Sequence, residues 1–329
     1  MNSFWKDLPA PLFVLAPMAD VTDPAYRKVI ASYKSADVMW TEFVSADGLY
    51  HTREMKRMKD EENPLMRDLL FTKDEHPIVA QIFSSKPEMI HYASKLAGEL
   101  GFDGVDINMG CPDKAIEKQG CGAGMMKRPE LLPSIMKAAR EGVKDAGRPS
   151  MGVSIKTRIG YNKEEIDTWI RAVLMEKPDA LTVHLRTRKE MSKVPAHWEL
   201  MPRIVALRDE VSPETRMLGN GDVENLEDAR QKVEASGADG IMLGRAIFGT
   251  PWLFTGRTDT SPKERLEALS ELAREFSLMR PAKSFHLLKK HVKAFVSGYD
   301  GASELRGRLM DAKDIDELQV LLSAARKGL

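Results

Sequence analysis

Eight short apolar, β-favouring segments recur along the first three quarters of the chain, most of them followed by an amphipathic stretch of helical spacing. They read LFVLAP (12–17), VMWTEFV (38–44), PIVAQIF (77–83), GVDINM (104–109), MGVSIKT (151–157), ALTVHL (180–185), RMLGNG (216–221) and GIMLG (240–244). Helices are predicted at 23–33, 87–100, 129–145, 163–176, 198–209 and 225–236, with a short one from Ala246. Strands alternating with helices build parallel βαβ units, and eight such strands close a ring. The predicted fold is therefore an α/β chain with a (β/α)8 TIM barrel. An open doubly wound sheet is the rival architecture. It carries a glycine-rich dinucleotide fingerprint after its first strand, where this chain reads APMADVTD.

The length of 329 residues accommodates such a barrel, of about 250 residues, plus an appendage. The barrel is expected over residues 1–256 and a small C-terminal helical bundle domain over 257–329. The formal net charge is zero, so an anionic partner must meet a local patch rather than a global field. Cys111 and Cys121 are the two cysteines, and both lie in one loop region, which is no disulfide framework and favours a reducing compartment. The start of the chain lacks a signal-peptide core and no run of 18 apolar residues occurs, so no membrane association and a cytoplasmic location are expected. Without a CxxC pair or an HxxxH helix, no metal site is expected.

Polar or special residues recur where the strands end: Pro17 and Met18, Glu42, Gln81, Asn108 with Cys111, Lys156 with Arg158, His184 with Arg186, Asn220 with Asp222, and Gly244 with Arg245. Strand interiors facing a packed core are apolar, so a polar set at one end of nearly every strand marks the mouth of a barrel, where such folds keep their chemistry. Taken singly, Lys156 reads as a strand-end salt bridge and His184 as a core histidine; the set together is the signal. The turns GNGD (219–222) and GR (244–245) combine small residues, backbone N–H groups and a guanidinium in the quarter where barrels bind phosphate. Lys156 and His184 place positive charge beside an electron-rich ring, and Gln81 offers an amide to a ring edge. A phosphorylated, redox-active heterocycle such as FMN is implied. Cys111, held between Gly110 and Pro112 just past a strand, sits where thiols are usually reactive.

The motifs APMADVTDPAYR (16–27), VAQIF (79–83), DINMGCP (106–112), VSIKTR (153–158), VHLRTR (183–188), GNGDV (219–223) and MLGRA (242–246) resemble the tRNA-dihydrouridine synthase family, in the family's order and across the whole predicted barrel. The resemblance implies FMN-dependent reduction of the C5=C6 bond of particular uridines in tRNA, with NADPH, or NADH, as electron donor. By the same resemblance, Ala16, Pro17 and Met18 contact the flavin ring. Gln81, Lys156 and His184 hold its polar edge, while Asn220, Gly221, Asp222, Gly244 and Arg245 hold the phosphate. Hydride passes from flavin N5 to uracil C6 and Cys111 protonates C5; Asn108 positions the uracil, with Arg158 and Arg186 as RNA contacts. The segment RTRKEMSKVPAHW after the sixth strand departs from the family's glycine-containing stretch, and Cys121 occupies a small-residue position.

Four charged, amphipathic stretches follow at 261–279, 283–299, 302–312 and 315–327. Between Arg280 and Lys293 lie Lys283, His286, Lys289, Lys290 and His291 and no carboxylate, a patch suited to tRNA phosphates or, more blandly, a solvated helix face. No obligate protein partner is inferred. Two other functions compete: a small-molecule flavin oxidoreductase of the dihydroorotate dehydrogenase or ene-reductase kind, which has no use for a basic appendage, and a non-enzymatic RNA-binding module, which leaves Cys111 unexplained.

Overall fold

The computed structural model describes residues 3–328. Nine parallel strands form one sheet: β1 (Leu12–Leu15), β2 (Met39–Trp40), β3 (Val44–Ser45), β4 (Ile78–Phe83), β5 (Gly104–Met109), β6 (Gly152–Arg158), β7 (Ala180–His184), β8 (Arg216–Asn220) and β9 (Gly240–Leu243). Their order is β1-β9-β8-β7-β6-β5-β4-β2, with β3 also paired to β4. The row closes through Leu15 N donating to Val38 O (3.1 Å) and Asp37 N donating to Phe13 O (3.0 Å). The predicted second strand, 38–44, is thus two short pieces, β2 and β3, interrupted at Thr41–Phe43, although Thr41 N still donates to Val79 O of β4 at 3.0 Å.

Alternation within the strands divides the apolar residues into two sets. Trp5, Leu12, Val14, Val38, Trp40, Val79, Ala180, Leu218 and Met242 cluster inside the ring, while the larger cluster joins the outer strand faces to the helices. Glycines at the start of two strands leave room under the ring for the N-terminal segment. A Cβ at Gly152 would lie 2.7 Å from Trp5 Cδ1, and one at Gly104 3.1 Å from Phe4 Cε1. Trp5, fully buried, therefore plugs the bottom of the barrel, opposite the cavity at the carboxyl end.

The predicted helices form with shifted ends. The barrel's first helix, Pro24–Tyr33, starts on an Asp23 side chain that accepts from Tyr26 N (3.0 Å), with proline at its first position. The predicted helix 163–176 is shorter and begins as a wide turn at Ile166, because Tyr161 to Glu165 is spent on a turn in which the Glu165 carboxylate accepts from Tyr161 N at 2.6 Å. Beyond the barrel, helices Pro262–Leu278, Phe285–Phe295, Ala302–Met310 and Ile315–Lys327 match the four predicted stretches. The first opens on a reciprocal Ser261/Glu264 capping box.

These helices seat on the barrel rather than standing away from it. Tyr26 packs its ring against His291 and Phe295, with centroids 4.5 and 6.3 Å apart. Lys283 Nζ lies 2.6 Å from Glu42 Oε2 and 3.4 Å from Asp68 Oδ1, and both the lysine and Glu42 side chains are nearly fully buried. Glu42 does not face the barrel mouth; it anchors Lys283 and accepts from Asp20 N. Lys283 and His291 belong to the interior and not to a basic surface, and burial drives the His291 pKa down to about 3.

The plug makes a testable demand. Gly152→Ala is expected to cost about 1–3 kcal/mol by overpacking against Trp5, seen as a lower urea midpoint at unchanged slope. An unchanged midpoint would show that Trp5 yields freely and does not seal the ring.

Candidate functional site

The open end of the ring holds a cavity of about 750 Å³. Its walls include every residue to which the family resemblance gives a role: Ala16, Pro17 and Met18 after β1; Gln81 on β4; Asn108 and Cys111 at the end of β5; Lys156 and Arg158 on β6; His184 and Arg186 at β7; Asn220, Gly221 and Asp222 at β8; Gly244 and Arg245 after β9. Strand register explains the convergence. Asn108 pairs with Lys156 and, two residues further on, Arg158 pairs with His184, His184 with Asn220 and Asn220 with Met242, so the carboxyl ends of β5 to β9 present these residues side by side at the mouth.

Cys111 sits on a turn fastened from two sides. Asn108 Oδ1 accepts from Gly110 N (3.1 Å) and Cys111 N (2.9 Å), and Arg158 Nε donates to Gly110 O at 2.8 Å. Gly122, with φ of 57°, brings the following loop so close that a Cβ there would lie 2.7 Å from Cys111 O, which accepts from Ala123 N. The thiol is half-buried, and burial pushes its pKa up despite the neighbouring Arg158 and Lys156. It is therefore a protonated thiol at neutral pH.

The cavity is rich in cations with few counter-ions. Lys156 Nζ donates to Asn220 Oδ1 (3.1 Å) and, among the described residues, has no carboxylate in salt-bridge range; burial, with Arg158 adding, lowers its pKa to about 8. Burial, together with Arg158 and Lys156, holds His184 well below the usual imidazole range. Arg186 Nη1 lies 3.1 Å from His184 Nε2, and a guanidinium only donates, so Nε2 accepts and the ring proton sits on Nδ1. Asp222 binds both Arg186 and Arg245. Gly221, at φ of 126°, occupies a conformation few other residues adopt, and Trp198 Nε1 donates to its carbonyl at 2.8 Å.

Arg158 and Arg186 line the cavity, but most of their donor nitrogens are engaged by protein. Arg158 also reaches Thr187 O and Met191 O, and Arg186 reaches Val194 O at 2.6 Å. Arg158 laces the turn at Gly110 to the 187–194 segment and Arg186 ties that segment to Asp222, so neither has a surface arginine's freedom to follow phosphates. Arg188, bonded through Nε to Glu117 at 2.6 Å, makes a second tie between the same loops. Sequence reasoning missed Phe43 and Ser192 on the cavity wall and the wholly buried Asp106 beneath it. Asp106 left one usable signal: it stands two residues before Asn108 in a strand, hence on the same inward face. Cys121 is buried against Phe83 and Ile116, outside the cavity lining. Among the described residues no group of three or more His, Cys, Asp or Glu is placed to hold a metal ion, and no helix is long and apolar enough to cross a membrane.

The tautomer assignment predicts that the His184 ring resonances remain those of a neutral Nδ1–H imidazole between pH 6 and 8. A proton-dependent shift of the ring nitrogens in that window, followed by NMR, would contradict it.

The family described as "Dihydrouridine synthase (Dus)" matches residues 14–327. The chain is 41% identical over 326 residues to a "Probable tRNA-dihydrouridine synthase 2" of Bacillus subtilis (strain 168), covering 98% of this chain and 96% of that one. It is 39% identical over 329 residues to a "Probable tRNA-dihydrouridine synthase" of Staphylococcus aureus (strain Mu50), covering 98% and 95%. Among solved structures, histamine dehydrogenase from Rhizobium sp. 4-9 superposes with a TM-score of 0.53 at 12% identity, over 80% of this chain and 49% of that one. A morphinone reductase variant in complex with tetrahydroNAD gives 0.52 at 11%, over 75% and 86%. At those identities the two structures bear on the barrel fold alone. With nearly its whole length matched by the family and by a relative at 41% identity, the chain belongs to the dihydrouridine synthase family.

Proposed function

We propose that the protein is an FMN-dependent tRNA-dihydrouridine synthase that reduces the C5=C6 bond of uridines in tRNA, with NADPH or NADH as the electron source. The observation that carries this reading is the single cavity that collects a protonated thiol and an excess of cationic groups from separate strand ends. Relatives named for the same activity over nearly full length support it.

The residues present suit FMN. A volume near 750 Å³ is in the range of cofactor pockets, about 300–1,000 Å³. Lys156, lacking a carboxylate partner, has N–H donors to spare for the electron-rich edge of a ring, and neutral His184 stands beside it. Gly221 and Gly244 permit close backbone approach, and Arg245, steadied by Asp222, supplies charge for a phosphate. Asp222 acts here through Arg245 and not as a direct partner of an anion. Ala16, Pro17 and Met18 form the wall for the ring face, and Gln81 its polar edge.

FMN, when bound, supplies hydride for uracil C6. The chain's own residues do the rest. Asn108 positions the pyrimidine, and Cys111 Sγ–H gives its proton to C5, leaving a thiolate that solvent reprotonates. The lacing by Arg158 and by Arg188 with Glu117 holds the Cys111 turn at a fixed distance from the cavity. A uridine reaches so recessed a thiol only by leaving its stack, which is least costly in unpaired loops of tRNA.

For RNA contact the C-terminal helices offer His286, Lys290 and Lys293, all exposed and spaced to share one face of the helix Phe285–Phe295. Lys289 contributes less, because its ammonium donates to Met310 O at 2.7 Å. The ion pair of Lys290 with Asp20, at 3.6 Å and exposed, leaves that lysine free to exchange partners.

Two measurements test the reading. Cys111→Ala is expected to abolish dihydrouridine formation while flavin remains bound and reducible by NADPH; full turnover by the variant removes the thiol from its role. Charge removal at Lys290 and Lys293 together is expected to weaken tRNA affinity and reduce the slope of log K against log salt by about 1–2, near one for each phosphate no longer neutralised. An unchanged slope would move the RNA surface elsewhere.

A further inference from the structure

Behind Cys111 runs a chain of hydrogen bonds whose direction is fixed at both ends. Ser154 Oγ donates to Asp106 Oδ1 at 2.7 Å, and Gln81 Nε2 donates to Asp106 Oδ2 at 2.6 Å. Asn108 Nδ2 then donates to Gln81 Oε1 at 2.9 Å, which turns Asn108 Oδ1 onto the N–H groups of Gly110 and Cys111. An ionised carboxylate only accepts, so Gln81 must show it the amide nitrogen and keep its oxygen for Asn108. Backbone N–H groups only donate, so Asn108 must show them its oxygen. The two requirements agree, and every side chain in the chain is buried: Gln81 and Asp106 fully, Asn108 to 7% exposure.

We propose that Asp106 is a positioning residue for the catalytic turn: its carboxylate sets the direction of the Gln81–Asn108 amide chain and thereby the placement of Cys111. The inference rests on the dihydrouridine synthase reading for the word catalytic; the placement of the thiol does not. Asp106 makes no contact with the thiol and acts through two amides. Burial raises its pKa to about 6, against the opposing effect of Ser154, Gln81 and Lys156, so it is ionised at neutral pH. Lys156 on β6 is the charged side chain facing it, while Gln81 on β4 and Ser154 on β6 are neutral.

A charge relocation tests direction separately from packing. In Gln81→Glu two carboxylates meet where an N–H···O bond stood, and they hold the chain only while one proton is shared between them. The protonated carboxyl introduced at position 81 then donates its hydroxyl to Asp106, and its other oxygen accepts from Asn108, as the native amide does. Once that proton leaves, the link between positions 81 and 106 is repulsive. In the double variant Asp106→Asn/Gln81→Glu, the amide introduced at position 106 donates to the carboxylate introduced at position 81. That carboxylate still accepts from Asn108, and the native direction is restored without a shared proton.

Two quantities are read on flavin-loaded protein of measured flavin content: dihydrouridine formation in tRNA, and the rate of Cys111 alkylation by iodoacetamide, resolved by peptide mass spectrometry with buried Cys121 as internal reference. Gln81→Glu is expected to lose turnover at least tenfold as pH rises from 6 to 9, relative to the unaltered protein, with a parallel change in relative alkylation rate. The double variant is expected to lack this alkaline loss and to alkylate within about twofold of the unaltered rate. A Gln81→Glu profile identical to the unaltered one, or an alkaline loss that persists in the double variant, overturns the proposal. Should the unaltered protein make no dihydrouridine, the functional reading fails while the alkylation ratios still decide the role of Asp106.

Discussion

Two backbone hydrogen bonds between the first strand and the segment before the second, Leu15 to Val38 and Asp37 to Phe13, turn a row of strands into a ring, and the site exists only because the ring is closed. In an open sheet Ala16 to Met18 would lie at one edge and Gln81 near the other. Closure sets them across one mouth from Lys156 and His184. The same closure makes the interior a finite volume to be filled in layers. Trp5 fills the lowest under Gly152, apolar residues such as Val14 and Leu218 the next, and polar groups the highest. The open end is thus polar because packing ends there, and the packing ends there because the bottom is sealed.

Much of this was legible in sequence because strand period and barrel topology are both local in origin. A residue two before another in a strand shares its face, and a residue at a strand's carboxyl end belongs to the mouth whatever the loops do. All fifteen of the candidate site residues therefore line the one cavity. What was not legible depends on contacts between segments far apart in the chain. Glu42 looks like another strand-end polar residue, yet the break between β2 and β3 turns it toward Lys283, 241 positions away. The basic run from Arg280 to Lys293 looks like one surface, yet a helix has an inner face, and His291 lies on it against Tyr26. Arg158 and Arg186 could be seen to reach the mouth, but their carbonyl and carboxylate partners on the 187–194 loop and at Asp222 could not.

Charge is distributed so that a chain of zero net charge keeps a cationic cavity. Two acidic groups near the mouth are consumed in pairs that brace it, Asp222 between Arg186 and Arg245 and Glu117 against Arg188, while exposed Glu224 stands on the rim. A second set, Glu42 and Asp68, neutralises Lys283 where the C-terminal helices meet the barrel. Removing one partner from that buried set would strand the others without solvent, at a cost of about 3–5 kcal/mol. The seating of the helical part and the positive character of the cavity are thus separate electrostatic problems, each solved by its own acids.

The state of the Cys111 thiol follows from how these arrangements balance. Arg158 and Lys156 nearby would by themselves favour a thiolate, as they do for nucleophilic cysteines. Burial outweighs them, and Lys156, itself pushed down to about 8 by burial, carries its charge only loosely. Arg158 Nε and Nη1 donate to the Gly110, Thr187 and Met191 carbonyls rather than to sulfur. Arg158 would activate a nucleophile if it pointed at the sulfur, but it grips the backbone beside it at Gly110 instead, and Lys156 is turned to Asn220. A thiol so placed keeps its proton at neutral pH, which is the requirement for an acid and the opposite of that for a nucleophile.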